Sequence, residues 1–238
     1  MTTRAAVLGR WLFRNRSWTP LPLIALVLIC FAPRHYGRCQ PWVTALALSV
    51  SFLGELARVL TVGFAQAGTS GRESYLRADA LNVTGAYSLV RNPLYMANML
   101  IFTGVVIFWG NPWALLLVLL FLRVQYALII RGEEGYLTQR YGDEYRDYLE
   151  RVPRLIPHFT KFRSPLSPFQ WRRVIAKEND SVFNMLAMFM ILEALREYRL
   201  FNQVIHWTWL TAVGGVIVLL YVLIKVWKKR FAGRIDQS

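Results

Sequence analysis

Long apolar runs separated by short, basic polar stretches organise this chain. Six apolar segments can be drawn, at about 19–33, 41–60, 93–109, 112–130, 181–195 and 204–226. A helix that crosses a bilayer needs roughly 17 to 25 apolar residues, so the second, fourth and sixth segments are comfortable and the first and fifth are short. Between the third and fourth, "WGNPW" at 109–113 holds Asn111 and Pro112, a strong turn signal that predicts a tight antiparallel pair. Pro93 and Pro112 both stand where a helix would begin, a place where proline forfeits no needed hydrogen bond. The pattern predicts an all-α polytopic membrane protein with about five or six transmembrane helices.

Composition agrees with that placement. Of 238 residues 55% are apolar and 18% are charged, and the mean hydropathy is +0.32. The formal charge of +14 would suit an anionic partner, but the basic residues lie mostly between apolar runs, as positive-inside loops do. A membrane is therefore the expected partner and nucleic acid is not. The arginine-rich N-terminus, the loop at 61–92, the stretch 131–180 and the tail "KVWKKRFAGR" fall on one side, which the rule makes cytoplasmic. Arg196 and Arg199 fall on the other, so the fifth segment either spans or is a re-entrant or buried helix. The first run is read as a retained helix, because the basic region before it is long and no cleavage pattern is clear. These features point to an integral protein of a prokaryotic inner membrane. Most tryptophans, Trp42, Trp109, Trp113 and Trp207 among them, sit at predicted segment ends, where an interfacial belt explains them. Cys30 and Cys39 form no metal cluster, and His35, His158 and His206 are dispersed, so no metal is expected.

The polar stretches carry the candidate chemistry. In the loop at 61–92, Gly68, Gly71 and Gly85 with Thr69 and Ser70 beside Arg72 read as an anion-binding nest or as a plain interfacial loop. Residues 133–151 read as an amphipathic helix pair bent near Gly142. Glu133 and Glu134 leave the fourth apolar run together, and acids at a membrane exit need partners. Arg91, Arg131 and Arg154 are available on the same predicted side. The hairpin of the third and fourth segments then brings Arg91 and Tyr95 into the layer of Glu133 and Glu134, closing a polar pocket at the cytoplasmic end that opens sideways to lipid. Glu193 is an intramembrane acid that either pairs with Arg196 or lines an acceptor path.

Two stretches carry a resemblance: "GAYSLVRNPLYMANML" at 85–100 and "RGEEGYLTQRYGDEYRDYLERVPRLIP" at 131–157. With the hairpin between them, they resemble the integral-membrane methyltransferases that include isoprenylcysteine carboxyl methyltransferase and the phospholipid N-methyltransferases. The family usually has Arg-His-Pro where this chain has Arg91-Asn92-Pro93. Asparagine still makes hydrogen bonds but cannot act as a base. The resemblance implies S-adenosylmethionine held between the third and fourth helices and capped by the segment after the acidic pair. Tyr95, Glu133 and Glu134 would lie at its polar end, with Arg91 and Arg154 ordering the carboxylate or the acidic pair and Asn92 close by. Tyr87, Leu89, Tyr145 and Pro153 would shape the adenosine end or the lid. Glu134, Arg154 and Arg91 are the residues expected to serve the chemistry, Glu134 as a base only if the acceptor is an amine. Helical spacing adds Asn98, one turn beyond Tyr95, as a cofactor contact or an interhelix hydrogen-bonding residue.

Three regions are expected: N-terminal membrane helices at 1–60, a methyltransferase core at 61–160 and a C-terminal membrane extension at 161–238. The acceptor would be a membrane lipid, prenyl or phosphate-bearing. A steroid-reductase-like, NADPH-dependent oxidoreductase and a non-enzymatic lipid-binding or transport protein are the rival readings.

Overall fold

The structure is a computed structural model and describes residues 4–16, 18–66, 80–204 and 206–235. The proposed nest at Gly68, Thr69, Ser70, Gly71 and Arg72 lies outside the described residues. Within them the chain is helical, without strands: α1 (Arg4–Arg14), α2 (Leu21–Cys30), α3 (Gln40–Phe64), α4 (Ala86–Leu89), α5 (Pro93–Trp109), α6 (Pro112–Tyr141), α7 (Asp143–Arg151), α8 (Trp171–Phe201) and α9 (Trp207–Ile235).

The most extensive packing among the described residues joins α3 and α5. Small side chains make it possible. Ala47, Ser51 and Gly54 repeat along one face of α3 opposite Ala97 and Gly104 of α5, so the two backbones approach closely. A Cβ added to Gly54 would stand 2.7 Å from the Ala97 carbonyl oxygen, and one on Gly104 would strike Ser51 Oγ and the Ala47 carbonyl. Ser51 Oγ donates to the Ile101 carbonyl at 3.0 Å, so its hydroxyl is satisfied inside this seam.

The expected α5–α6 hairpin is present. Gly110, at φ 80°, ends α5, and the Asn111 side chain caps α6 by accepting from the Trp113 and Ala114 amides at 3.1 and 3.2 Å. The Asn111 amide also donates to the Ala32 carbonyl at 2.9 Å, fastening the hairpin to the end of α2. Trp109 departs from the interfacial assignment. It is only 2% exposed and its indole donates to the Phe31 carbonyl at 2.8 Å, making it a core residue.

The count of five or six transmembrane helices is corrected by the observed lengths. Among the described residues, three helical stretches are long and apolar enough to cross a membrane: Gly37–Phe64, Pro112–Tyr141 and Trp207–Arg230. The first apolar run yields only the 10-residue α2, because "APR" follows it directly. The third yields the 17-residue α5, an apolar helix of less than spanning length by the same measure. The fifth lies within the 31-residue α8, whose flanks carry Arg, Lys, Glu and Asp. Counting apolar runs missed this because a run does not fix the helix that forms from it: α2 stops after 10 residues, α5 after 17, and α8 carries Lys177, Glu178, Asp180 and Glu193 along its length.

Two further features were not visible as apolar runs. The basic N-terminus forms α1, which packs along α6, with Gly9 set against the Leu128 carbonyl. The fourth apolar run continues without a break through Glu133 and Glu134 to Tyr141, and the chain bends at Gly142, at φ 55°, into α7. Glu193 takes the first of its two expected roles, an ion pair with Arg196 at 2.5 Å.

Candidate active site

The Arg91-Asn92-Pro93 junction is where an extended strip meets the start of α5. Val90 is extended, Pro93 opens the helix and is buried, and the preceding strip is hydrogen-bonded along the segment that follows α7. Arg91 N donates to the Pro153 carbonyl at 2.8 Å, and His158 N donates to the Leu89 carbonyl at 3.0 Å. The Asn92 side chain donates to the Arg154 carbonyl at 3.1 Å. Further along, Gly85 N donates to the Arg163 carbonyl and Arg163 N to Ser88 Oγ, each at 2.9 Å. This backbone clasp satisfies polar groups that would otherwise be stranded beside the helices.

The two adjacent glutamates have different surroundings. Glu134 is paired with the Arg154 guanidinium, whose Nε lies at 3.2 Å, and with Arg91 Nη1 at 3.5 Å. Its carboxylate therefore locks the end of α6 onto both strands of the clasp. Glu133 instead lines a cavity of about 960 Å³, on whose wall Tyr95 also stands. Successive residues on a helix are about 100° apart, which is why neighbours in sequence serve different sides of the wall.

A polar layer lies deeper along α5. The Tyr95 and Tyr126 rings lie 5.0 Å apart, and Asn98, one turn along α5 from Tyr95, also lines the cavity. Asn98 Oδ1 accepts from Arg58 Nη1 of α3 at 2.5 Å, while Arg58 Nε and Nη2 donate to Glu178 of α8 at 2.7 and 3.2 Å. Beyond this layer the lining is mostly apolar, with Leu28 of α2, Val105 and Trp109 of α5, Leu122 of α6 and Met188 of α8, and with Ser181 and Asn184 as polar exceptions on α8.

At the opposite end α7 closes the cavity. Tyr145 and Tyr148 are buried with their rings 5.8 Å apart, and the Tyr148 hydroxyl donates to the Tyr87 carbonyl at 2.7 Å. Burial raises the hydroxyl pKa of Tyr87, Tyr145 and Tyr148 well above the ordinary tyrosine value, with a smaller contribution from Glu133 at Tyr87 and Glu134 at Tyr145. All three stay neutral, so they serve as aromatic surface and hydrogen-bonding groups.

Of the residues expected from sequence, the structure brings Tyr87, Arg91, Asn92 and Tyr95 to the cavity wall, together with Asn98, Glu133 and Tyr145. Glu134, Arg154, Leu89 and Pro153 stand in the clasp behind that wall. Arg58 and Tyr126 went unforeseen, as did the joining of Arg58 to Glu178. A charge inside the apolar run 41–60 was the available signal for Arg58. Nothing in the sequence indicated that Glu178, 120 positions away, would meet it.

Residues 42–144, which include the α5–α6 hairpin and the acidic pair, match the phospholipid methyltransferase family. The class defined by this fold and site is that of the integral-membrane methyltransferases, and the chain belongs to it. The chain is similar to the nickel-cobalt-cadmium resistance protein NccN of Alcaligenes xylosoxydans xylosoxydans, 30% identical over 159 residues that cover 66% of this chain and 71% of that protein. It is 27% identical to the cobalt-zinc-cadmium resistance protein CzcN of Cupriavidus metallidurans over 158 residues, 66% of this chain and 70% of that protein. Protein-S-isoprenylcysteine O-methyltransferase of Schizosaccharomyces pombe is 35% identical over 115 residues, 47% of this chain and 48% of that protein. No solved structure matches. Family membership makes this an S-adenosylmethionine-dependent methyltransferase domain that acts on a membrane-associated substrate.

Proposed function

We propose that the protein methylates an anionic oxygen at the end of a prenyl or acyl chain, a carboxylate or a phosphate, from a site at the cytoplasmic face. The observation that carries this reading is one shared cavity: Arg91, Tyr95 and Glu133 line its polar end, and α2, α5 and α8 line a mostly apolar end. The excess of Arg and Lys between the apolar runs supports the cytoplasmic placement.

The residues present fit S-adenosylmethionine. Arg91 Nε is buried and has no hydrogen-bond partner among the described residues, a donor suited to the cofactor's carboxylate. Glu133 and Tyr95 offer an acceptor and a hydroxyl for its ammonium or ribose groups. Tyr87, Tyr145 and Tyr148 provide aromatic surface for the adenine. When bound, the cofactor supplies a methyl carbon already activated by its sulfonium.

The chain's own residues then have to position the acceptor and exclude water. An anionic oxygen needs only desolvation and alignment, so no side chain has to remove a proton. That agrees with the state of Glu134, whose carboxylate is committed to Arg91 and Arg154. In this reading Glu134 and Arg154 are positioning residues that fix Arg91 and the clasp, and Leu89, Asn92 and Pro153 hold the clasp through their backbone or amide groups.

The test is incubation of the purified full chain with methyl-labelled S-adenosylmethionine and a native membrane lipid extract. Labelled ester in the lipid fraction is expected, and its mass identifies the acceptor. Label that appears only on amines would overturn the anionic-oxygen reading. No cofactor binding by calorimetry and no labelled product from lipid, prenyl and thiol pools would overturn methyl transfer itself.

A further inference from the structure

A charged cluster on the cavity wall, Arg58 with Glu178, lies apart from the methyl-donor end. Arg58 sits within α3, a helix long and apolar enough to cross a membrane, and there a charge persists only with partners. It has them from two other helices: both oxygens of Glu178 on α8 and Oδ1 of Asn98 on α5. These contacts engage three of the guanidinium's N–H groups. The group has five, so two remain on a side chain that lines the cavity. One helical turn earlier on α3, Glu55 accepts from Ser181 Oγ of α8 at 2.8 Å, so a second polar contact holds α8 in register.

Position along α5 gives this layer its meaning. Tyr95, which lines the cavity with Glu133, marks the methyl-donor end, and Asn98 lies one turn deeper, about 4.5 Å along the axis. Past Asn98 the α5 lining is apolar as far as Trp109. An acceptor with its chain in the apolar part and its reactive group beside Glu133 and Tyr95 must place its polar end against Arg58. The balance of charge favours an anion there. Arg16, Arg58, Arg91 and Lys177 line the cavity against Glu133 and Glu178, while Asp180 is neutralised by Lys225 at 2.8 Å. Adding Glu55, and Glu134 with its partner Arg154, behind the wall leaves the cations in excess by one.

We propose that Arg58 binds the anionic head of the acceptor, and that Glu178 and Asn98 are positioning residues that hold its guanidinium toward the cavity. Because Glu178 belongs to α8, beyond the region that matches the family, the C-terminal part of the chain takes a direct share in acceptor selection. The inference rests on the lipid-acceptor reading and deepens it.

The experiment uses the full chain in nanodiscs of neutral phosphatidylcholine and measures binding of oleyl phosphate, oleate and oleyl alcohol. S-adenosylmethionine binding is followed in parallel. The wild type should bind the two anions at least tenfold tighter than the alcohol. Arg58→Met alone strands Glu178 and can fail to fold, so the deciding variant is the double replacement Arg58→Met/Glu178→Met, which removes both charges together. In that protein the preference for anions should collapse to within twofold, with cofactor affinity unchanged. Glu178→Gln should retain part of the preference, because Arg58 keeps its charge and its contact with Asn98. Anion preference surviving in the double variant, or absent in the wild type, overturns the role of Arg58. Intact anion preference in a protein that binds no S-adenosylmethionine and yields no methylated lipid would instead overturn the methyltransferase reading while leaving the anion site standing.

Discussion

The clasp beside the methyl-donor end and the seam between α3 and α5 hold their partners together by opposite means. In the clasp, extended chain around Leu89–Asn92 meets chain around Pro153–His158 through backbone and amide hydrogen bonds, reinforced by the Glu134–Arg154 pair. In the seam, Ala47, Ser51 and Gly54 face Ala97 and Gly104 in close backbone contact, with Ser51 and, at one end, the Arg58–Asn98 bond as its polar contributions. The seam depends on what its side chains lack; the clasp depends on particular donors and acceptors. Added volume should therefore wreck the first, and a deleted polar group should loosen the second by smaller, graded amounts.

The largest effect is expected for Gly104→Leu. Its side chain meets the Ala47 backbone and Ser51, neither of which is a flexible side-chain end, so the cost should exceed about 3 kcal/mol. Folded protein recovered in detergent should fall sharply, and near-normal recovery would show the seam to be more compliant than its geometry implies. Next comes Glu134→Gln. Losing an ion pair that is sheltered on the Glu134 side and part-exposed at Arg154 should cost about 1–2 kcal/mol. S-adenosylmethionine affinity should drop roughly tenfold as Arg91 loses its anchor, while calorimetry showing unchanged affinity would remove Glu134 from any role in positioning.

A smaller effect, about 1 kcal/mol, is expected for Asn92→Ala, which removes one neutral hydrogen bond to the Arg154 carbonyl. Thermal melting should report it, with hydrogen exchange increasing at Arg91 and His158. The smallest effect belongs to Asp143→Asn. Its ion pair with Arg146 is 2.7 Å long but 90% and 66% exposed on its two sides, so the melting temperature should stay within about 1 °C. A larger drop would reveal that α7 depends on surface charge and not on buried Tyr145 and Tyr148.

Much of the helical layout was legible before the fold was known. "WGNPW" predicted the α5–α6 hairpin because Asn111 and Pro112 act through local geometry, and the bend near Gly142 was readable for the same reason. The approach of Arg91, Tyr95, Glu133 and Glu134 also followed from the hairpin, since folding α6 back along α5 sets Tyr126 beside Tyr95 and carries the acidic pair on to the end where α5 begins. The membrane count failed because an apolar run does not set where its helix ends, as at the 10-residue α2, or which charges accompany it, as in α8. Trp109 failed because local composition cannot tell lipid from protein as the apolar neighbour of a segment-end tryptophan, and here the residue is core.

The sequence alone thus determined the helical class and the hairpin, which depend on short-range periodicity and turn chemistry, and the family resemblance pointed to several polar residues that line the cavity. Only the tertiary structure decided that Glu133 faces the cavity while Glu134 braces the clasp. It alone joined Arg58 to Glu178 across 120 positions. Those outcomes depend on the rotation of each helix about its axis and on which helices become neighbours, and small residues far along the chain set both.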